Sequence, residues 1–229
     1  MAFNSFNNHN NEQISQTTLG DIRNFNTLIK YKYSPEEINF YDLQTAIDNH
    51  PLAHRPFAIR SKTAYSGIMR ELTPTKKYLL PGQLVLFGYP QPKYKEELEY
   101  YDASPLTLFC GIMRTKSGVI RELGFNLHYF PPFARFKILQ NVYNKFKPYW
   151  TKFFNEPSDK PNMIMSYDAV RHIMRSNLHI KFGLKMYIPW LRGSSYVIPT
   201  RLMPTAALTE GRFSKATINQ VFKYWRQFH

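Results

Sequence analysis

The feature that most constrains the fold of this chain is the segment GFNLHYFPPFAR at residues 124–135. Its first half has the two-residue period of a half-buried strand. The apolar face of that strand carries Leu123, Phe125, Leu127 and Tyr129, and the other face carries Gly124, Asn126 and His128. Pro131 cannot donate a backbone hydrogen bond and its φ is fixed, so the strand is expected to end there and a helix to begin. The segment therefore predicts a strand-to-helix corner.

Beyond the two prolines, apolar residues recur at three- and four-residue steps, which predicts an amphipathic helix. The stripe consists of Phe133, Phe136, Leu139, Val142, Tyr143 and Phe146. The residues off the stripe include Arg135, Lys137, Lys145 and Lys147. Pro148 is expected to stop this helix.

The rest of the chain predicts an α+β fold. The expected strands are 83–89, 105–114, 119–129, 185–188 and 194–198, with a hairpin through the TKSG turn at 115–118. The expected helices are 34–49, with Ile38, Tyr41 and Ala46 facing the core, 167–175, and a last one capped by Ser214 and ending near Gln227. We expect a small antiparallel SH3-like β-barrel or sheet, with helices packed around it.

The chain is expected to form one domain behind an extended arm. Residues 1–33, rich in Asn and Gln at their start, are interpreted as a flexible or partner-ordered arm. Residues 34–229 are expected to form a single α+β domain, with a β unit at about 81–130 and a basic helical part at about 131–229. We find neither a secretory signal nor an apolar stretch long enough for a membrane helix, so the expectation is a soluble intracellular product with no membrane partner.

The formal net charge of +14 points to a polyanionic partner or an acidic protein surface. The charge is uneven along the chain. Residues 1–131 contain 14 Lys or Arg and 12 Asp or Glu, whereas residues 132–229 contain 16 and 4. An anionic partner is therefore expected to meet the second half. Residues 50–80 interleave basic and aromatic side chains, which fits either a nucleic-acid contact or a solvated loop.

The sequence offers little for an active site, and no cofactor is expected. It contains no Gly-rich phosphate loop and none of the common hydrolase or zinc motifs. The single cysteine, Cys110, falls in an apolar strand and is interpreted as core. A metal site from His172 and His179 would need both on one helix face, but Asn177 and Leu178 suggest that the helix ends first. The acidic residues Glu96, Glu97, Glu99, Asp102 and Glu122 make a weak case for a nuclease. Asn126 and His128 could orient a hydroxyl or phosphate, or make structural hydrogen bonds to a neighbouring turn.

Two long segments carry a resemblance to a known family. PGQLVLFGYPQPKYKEELEYYDASPLTLFCGI, from residue 81, and GFNLHYFPPFAR resemble a virion protein family of tailed, T4-like bacteriophages, of the DNA end protector type. The shared pattern is YYDxxPL followed by GxNLHYxPPxxR. Its residues here are Tyr100, Tyr101, Asp102, Pro105, Gly124, Asn126, His128, Tyr129, Pro131 and Pro132. Phe130 and the Asn-rich arm depart from the family pattern.

The resemblance implies a non-enzymatic virion protein, assembled in the host cytoplasm, which binds and protects the packaged DNA end during head completion. Its implied partners are other virion proteins and double-stranded DNA ends. The alternative is a structural subunit of the head–tail connector or baseplate that binds only protein neighbours. Under the first hypothesis the phosphate contacts would come from Arg135, Lys137, Arg171, Arg175, Arg192, Arg201, Arg212 and Lys215. Asn126 and His128 would lock the corner against the Tyr-Tyr-Asp turn at 100–102.

Overall fold

A computed structural model describes residues 40–74, 79, 81–90, 92, 95–155, 164–165, 172, 175, 178–189 and 192–226. The helices are α1 Phe40–Asp48, α2 Phe57–Glu71, α3 Pro132–Asn155, α4 Leu178–Gly183, α5 Met203–Ala207 and α6 Ile218–Arg226. The strands are β1 Leu84–Phe87, β2 Tyr101–Asp102, β3 Leu106–Arg114, β4 Ile120–Asn126, β5 Ile164–Met165, β6 Leu184–Tyr187, β7 Ser195–Ile198 and β8 Phe213–Ser214. Short 3₁₀ turns lie at Leu127–Tyr129 and Thr200–Leu202. The fold is α+β, as the sequence predicts.

The principal sheet has the strand order β6-β4-β3-β1-β7, and all of these pairs are antiparallel. The hairpin of β3 and β4 closes through residues 115–118, where Gly118 has a φ of 80°. A short β5 adds beside the end of β3 in parallel, a pairing that the sequence did not indicate. Among the described strands, β6 and β7 do not pair with each other. The sheet alternative is therefore the correct one, and the strands that the structure describes do not close into a barrel.

The sheet is nevertheless strongly curled. Its two outer strands are joined by only seven residues, 188–194. Tyr187 of β6 packs edge to face against Phe87 and Tyr89, with ring centroids 5.1 and 5.2 Å away. Gly193 N–H donates to the carbonyl of Gly88 at 2.9 Å, which fastens the link across the strands. The small second core on this concave side consists of Leu79, Val85, Phe87, Tyr89, Phe109 and Tyr187.

The opposite side of the sheet carries the main core, which the helices cover. Its members come from all six described helices as well as from the sheet. Cys110 belongs to it, and burial raises the pKa of its thiol, which confirms the interpretation of this cysteine as core. No described helix is long and apolar enough to span a bilayer.

The corner at 124–135 is sharper than the sequence indicated. β4 ends at Asn126, and residues 127–129 form a 3₁₀ turn where the alternation predicts strand. The side chain of Asn126 accepts a hydrogen bond from His128 N–H at 2.9 Å, which competes with continued strand pairing. The helix then begins at Pro132, and it continues through Pro148 to Asn155. The prediction that Pro148 ends the helix is wrong, because one missing hydrogen bond is tolerated in a long helix with a deeply buried stripe.

Two helical regions differ from the prediction. In α1, Leu43 and Ile47 are buried whereas Ala46 is exposed, and residues 34–39 lie outside the described range. Residues 57–71, interpreted as a solvated or nucleic-acid-binding loop, form the helix α2. Its buried residues are Ser61, Ala64, Tyr65 and Ile68, a three- and four-residue spacing that the flanking charges obscured.

The C-terminal helix begins later than predicted. Ser214 belongs to β8, which pairs with β2, and α6 starts at Ile218. Thr217 and Gln220 form a reciprocal cap: Thr217 N–H donates to Gln220 Oε1 at 2.8 Å, and Gln220 N–H donates to Thr217 Oγ1 at 3.3 Å. Thr217, and not Ser214, is therefore the cap. The arm at 1–33 lies outside the described residues, and of the helix predicted at 167–175 only Arg175 and His172 are described, both helical.

Candidate functional site

A buried carboxylate organises the corner. Asp102 is 3% exposed and receives four hydrogen bonds. Its Oδ1 accepts from the backbone N–H groups of Ser104 at 2.9 Å and Arg212 at 3.0 Å. Its Oδ2 accepts from Asn126 Nδ2 at 3.1 Å and lies 2.9 Å from His128 Nδ1. Asn126 and His128 thus bind Asp102 of the Tyr-Tyr-Asp turn, as the sequence predicted. The backbone N–H of Arg212 also binds Asp102, a contact that the sequence did not predict.

His128 extends this network to a threonine. Its Nε2 lies 2.9 Å from Thr209 Oγ1, and Thr209 Oγ1 lies 2.6 Å from the carbonyl of Ala206. Burial lowers the pKa of His128, although the carboxylate of Asp102 opposes that shift. For Asp102, burial by itself raises the pKa, but His128 and the other donors outweigh it, so its pKa lies below the ordinary value. The lowered pKa of His128 favours a neutral imidazole at neutral pH that donates from Nδ1 to the Asp102 carboxylate. Nε2 then accepts from the Thr209 hydroxyl, which in that state cannot also donate to the carbonyl of Ala206.

The order Asp102–His128–Thr209 resembles the relay that activates a hydroxyl nucleophile. Here the side chains of His128 and Thr209 are fully buried, so a substrate cannot reach the hydroxyl. The relay instead joins three distant segments: the turn at β2, the corner after β4 and the segment following α5. Its chemistry is that of a structural hydrogen-bond network, whose groups are costly to leave unpaired.

Arg135 does not fit the phosphate-binding role that the sequence predicted. Its side chain is fully buried beneath the corner, so it cannot meet a DNA backbone. Nε donates to the carbonyl of Phe130 at 2.9 Å, and Nη1 contacts the carbonyls of Ala207 and Thr209. Burial lowers the pKa of Arg135 to about 9, which leaves the guanidinium charged at neutral pH. The residue is a buried clamp between the corner and the segment after α5.

The remaining motif residues form the walls of the corner. A Cβ on Gly124 would lie 2.2 Å from Thr107 Cγ2, so any other residue would have to displace the buried Thr107 side chain. Tyr129 is buried, and its ring lies 5.8 Å from that of Tyr100, centroid to centroid. Tyr101 donates its hydroxyl to the carbonyl of Pro90 at 3.3 Å.

The prolines of the motif contribute backbone acceptors and the start of the helix. Pro105 accepts from Phe87 N–H at 3.2 Å and Pro131 from Ala134 N–H at 2.9 Å, while Pro132 is the first residue of α3.

Two of the other predicted cations are engaged within the protein. Arg192 forms a two-pronged contact with Glu122, Nε to Oε2 at 3.0 Å and Nη2 to Oε1 at 3.2 Å, and both side chains are 10% exposed. Lys215 donates Nζ to the carbonyls of Lys95 at 2.7 Å and Glu96 at 3.1 Å. These contacts tie the β6–β7 link and the loop at 95–98 to the fold.

The other predicted cations that the structure describes are exposed. Lys137 is exposed on α3, and Arg175 is helical and exposed. Arg201 is exposed and pairs with Glu71 of α2. Arg212 is exposed, and its guanidinium lies 5.4 Å from the centroid of the Tyr65 ring. Arg171 lies outside the described residues.

The exposed sides of α3 and α6, which contact each other through Phe133 and Trp225, are cationic, and the sequence had not delimited them. Together we call them the α3–α6 surface. Its exposed members are Phe133, Lys137, Gln140, Asn141, Asn144 and Lys145 on α3, and Asn219, Gln220, Lys223 and Arg226 on α6. Neither helix contains a single Asp or Glu. Lysine, arginine and amide side chains without intervening carboxylates are the groups that contact nucleic-acid phosphates.

An aromatic contact joins the two helices of this surface. Phe133 was predicted on the buried stripe of its helix, but its side chain is 70% exposed. Its ring meets the ring of Trp225 edge to face, with centroids 6.0 Å apart. The other members of the predicted stripe, from Phe136 to Phe146, are buried. Phe133 lies in the first turn of the helix, at the N-terminal end of the stripe.

Sequence reasoning missed the partners that come from far along the chain. These partners are Thr209, Ala207 and the backbone of Arg212, which lie more than seventy residues along the chain from the groups they contact. No local sequence pattern predicts such contacts. The α3–α6 surface did leave a signal, the run of 24 residues at 132–155 without an acidic side chain. In the described part of the chain, no cluster of three or more His, Cys, Asp or Glu side chains could hold a metal ion.

An acid-free cationic surface is of the kind that favours polyanionic partners. The comparison with known families is more specific. The family described as phage T4 terminal DNA protecting protein matches residues 26–194, and the chain belongs to this family. Neither the curated proteins nor the solved structures contained a match to the chain.

Proposed function

We propose that this protein binds the end of the packaged double-stranded DNA in a tailed-phage virion and protects it, without catalytic turnover, through the α3–α6 surface. The observation that carries the proposal is the absence of acidic residues from two neighbouring helices whose solvent sides bear lysine, arginine and amide groups. Membership of the DNA-protecting family supports the choice of DNA as the polyanion. The protein would join the particle at head completion, with assembly in the host cytoplasm.

The spacing of the cations suits a duplex backbone. Lys137 and Lys145 lie eight residues apart on the same side of α3, which corresponds to about 12 Å along the helix axis. Phosphates of one DNA strand recur about every 3.4 Å along the duplex axis, so both lysines can meet one strand. The Asn and Gln side chains between them can donate to phosphate and sugar oxygens. Arg175, Arg201 and Arg212 remain proposed contacts outside this surface, and Arg171 remains proposed from sequence alone.

Binding alone is sufficient for protection, because an end covered by protein is closed to an exonuclease. The only arrangement in the described residues that resembles a nucleophile relay, at Asp102, His128 and Thr209, is buried. The proposed function therefore requires affinity and positioning but no reacting group.

Salt dependence of binding tests the proposal. The wild-type protein is expected to bind a short duplex with a log–log salt slope of several units. The double variant Lys137→Gln and Lys145→Gln should reduce that slope by about 1.8, since each phosphate contact contributes about 0.9. The matched control is Lys62→Gln with Lys116→Gln, two exposed lysines on α2 and the β3–β4 turn, which should leave the slope unchanged.

The result that would overturn the proposal is a salt slope near zero for the wild type. Recovery of the protein only in a DNA-free connector or baseplate subcomplex, with no duplex affinity at low salt, would favour the protein-only alternative.

A further inference from the structure

We infer that Phe133 is a stacking platform for the terminal base pair, so that the protein distinguishes a DNA end from internal duplex. The inference rests on the proposed function, since it assigns a mode of end recognition to the same α3–α6 surface. Its starting point is the 70% exposure of a phenylalanine side chain at one end of an acid-free cationic helix face.

The position of Phe133 is unusual for a hydrophobic residue of this helix. Every other large aliphatic or aromatic side chain described between 134 and 146 is buried. The Trp225 ring, which is 9% exposed, supports one edge of the phenyl ring at 6.0 Å. A ring held against a buried tryptophan loses less conformational freedom on binding than one on an unsupported side chain.

A DNA end offers a surface that no internal site of a duplex offers. Inside the duplex both faces of each base pair are covered by their neighbours, whereas the last pair exposes one face. Aromatic side chains stack on exposed bases without sequence preference, because every base has a π-face. An aromatic platform can therefore recognise a DNA end without sequence specificity.

The cations lie where the backbone of such an end would pass. With α3 alongside the duplex, Lys137 is about 6 Å and Lys145 about 18 Å from Phe133 along the helix axis. At about 3.4 Å per base pair, these distances correspond to about the second and fifth phosphates from the end. Lys223 and Arg226 are exposed on α6, the helix that contacts Phe133 through Trp225, and they add positive charge to that helix.

Charge complementarity selects DNA over a protein partner for this patch. The centre of a protein–protein interface is usually depleted of charged residues. Here the exposed ring is followed along α3 by lysines and amides only, with no other exposed apolar side chain between 134 and 146.

The experiment compares two duplexes of identical sequence, one with open blunt ends and one closed by a hairpin loop at each end. Competition binding with the full-length protein gives the preference for the open form. Wild type is expected to prefer open ends, and Phe133→Ala should lose roughly 5- to 150-fold of that preference. Affinity for the closed duplex and its salt slope should change little. Phe133→Trp should retain the preference, and Ile59→Ala, another exposed apolar residue at 57%, serves as the matched control.

A second readout is the fluorescence of 2-aminopurine at the terminal position, which stacking on Phe133 should change in wild type and in Phe133→Trp but not in Phe133→Ala. The inference is overturned if wild type prefers open ends and Phe133→Ala keeps the preference, or if Phe133→Ala loses affinity equally for both duplexes. A wild type that binds neither duplex overturns the proposed function itself, so the two failures are distinguishable.

Discussion

Replacement of Asp102 by Asn tests the buried corner most sharply, because the variant keeps the shape and removes the charge. The Oδ1 contacts with the N–H groups of Ser104 and Arg212 can persist. At the Oδ2 position, however, an amide NH₂ would face two groups that donate in wild type, Asn126 Nδ2 and His128 Nδ1. His128 can relieve its side by moving its proton to Nε2, but Asn126 has no such freedom while its Oδ1 accepts from His128 N–H.

The magnitude follows from these contacts. A hydrogen bond to a charged group contributes about 1.5–3 kcal/mol. The hydrogen bonds from Asn126 and from His128 are both altered, and the one from His128 is partly recovered. We therefore expect Asp102→Asn to lower the free energy of unfolding by about 2–4 kcal/mol. For a domain of this size that corresponds to a fall in Tm of roughly 4–16 °C.

Urea denaturation followed by tryptophan fluorescence, with Tm by circular dichroism, measures the effect. Glu97→Gln is the matched control, since it removes the same charge from an exposed position. It should change stability by less than about 0.5 kcal/mol. Equal stabilities of the two variants would refute the reasoning that Asp102 organises the corner.

The remaining predictions concern His128 and Arg135. Because burial lowers the pKa of His128 below 6.5, the unfolded chain binds more protons, and the stabilisation from the neutral imidazole is lost as pH falls below 6.5. Unfolding titrations should therefore show the stability advantage of wild type over His128→Gln shrinking in acid, by at most about 1.4 kcal/mol per pH unit; an advantage that grows would contradict the pKa direction. Glu210, whose pKa burial raises to about 7, acts oppositely but is common to both proteins. Arg135→Gln should lower the free energy of unfolding by about 2–4 kcal/mol, while its folded fraction keeps the wild-type salt slope for DNA binding. Lys137→Gln should keep the wild-type stability and lower the salt slope. A lower salt slope in Arg135→Gln would restore the phosphate-binding role of Arg135.

Local patterns predicted the sheet and the corner well, because both depend on features within a few residues. The alternation around Phe125 specifies a half-buried strand, and Pro131 and Pro132 specify where the next helix can begin. The same patterns could not tell that the strand would end at Asn126, since that depends on a side-chain hydrogen bond to the backbone of His128.

The charges were harder to place than the elements. Arg135 and Lys137 are two residues apart on one helix, and both lie off the apolar stripe, yet one is buried and the other exposed. The difference comes from the carbonyls of Ala207 and Thr209, which approach Arg135 from the far end of the chain. Phe133 was misplaced because the apolar spacing does not show which turn of the stripe the rest of the chain covers, and here it covers Phe136 but not Phe133.

The central claim is that the α3–α6 surface covers a DNA end, and exonuclease protection tests it most directly. Linear blunt-ended duplex saturated with the full-length protein is exposed to a double-strand exonuclease, and the surviving ends are quantified. Wild type should slow digestion strongly, whereas Lys137→Gln with Lys145→Gln, at the same protein concentration, should allow it. Digestion of the wild-type complex at the rate of naked DNA, under conditions where binding is complete, would contradict the claim.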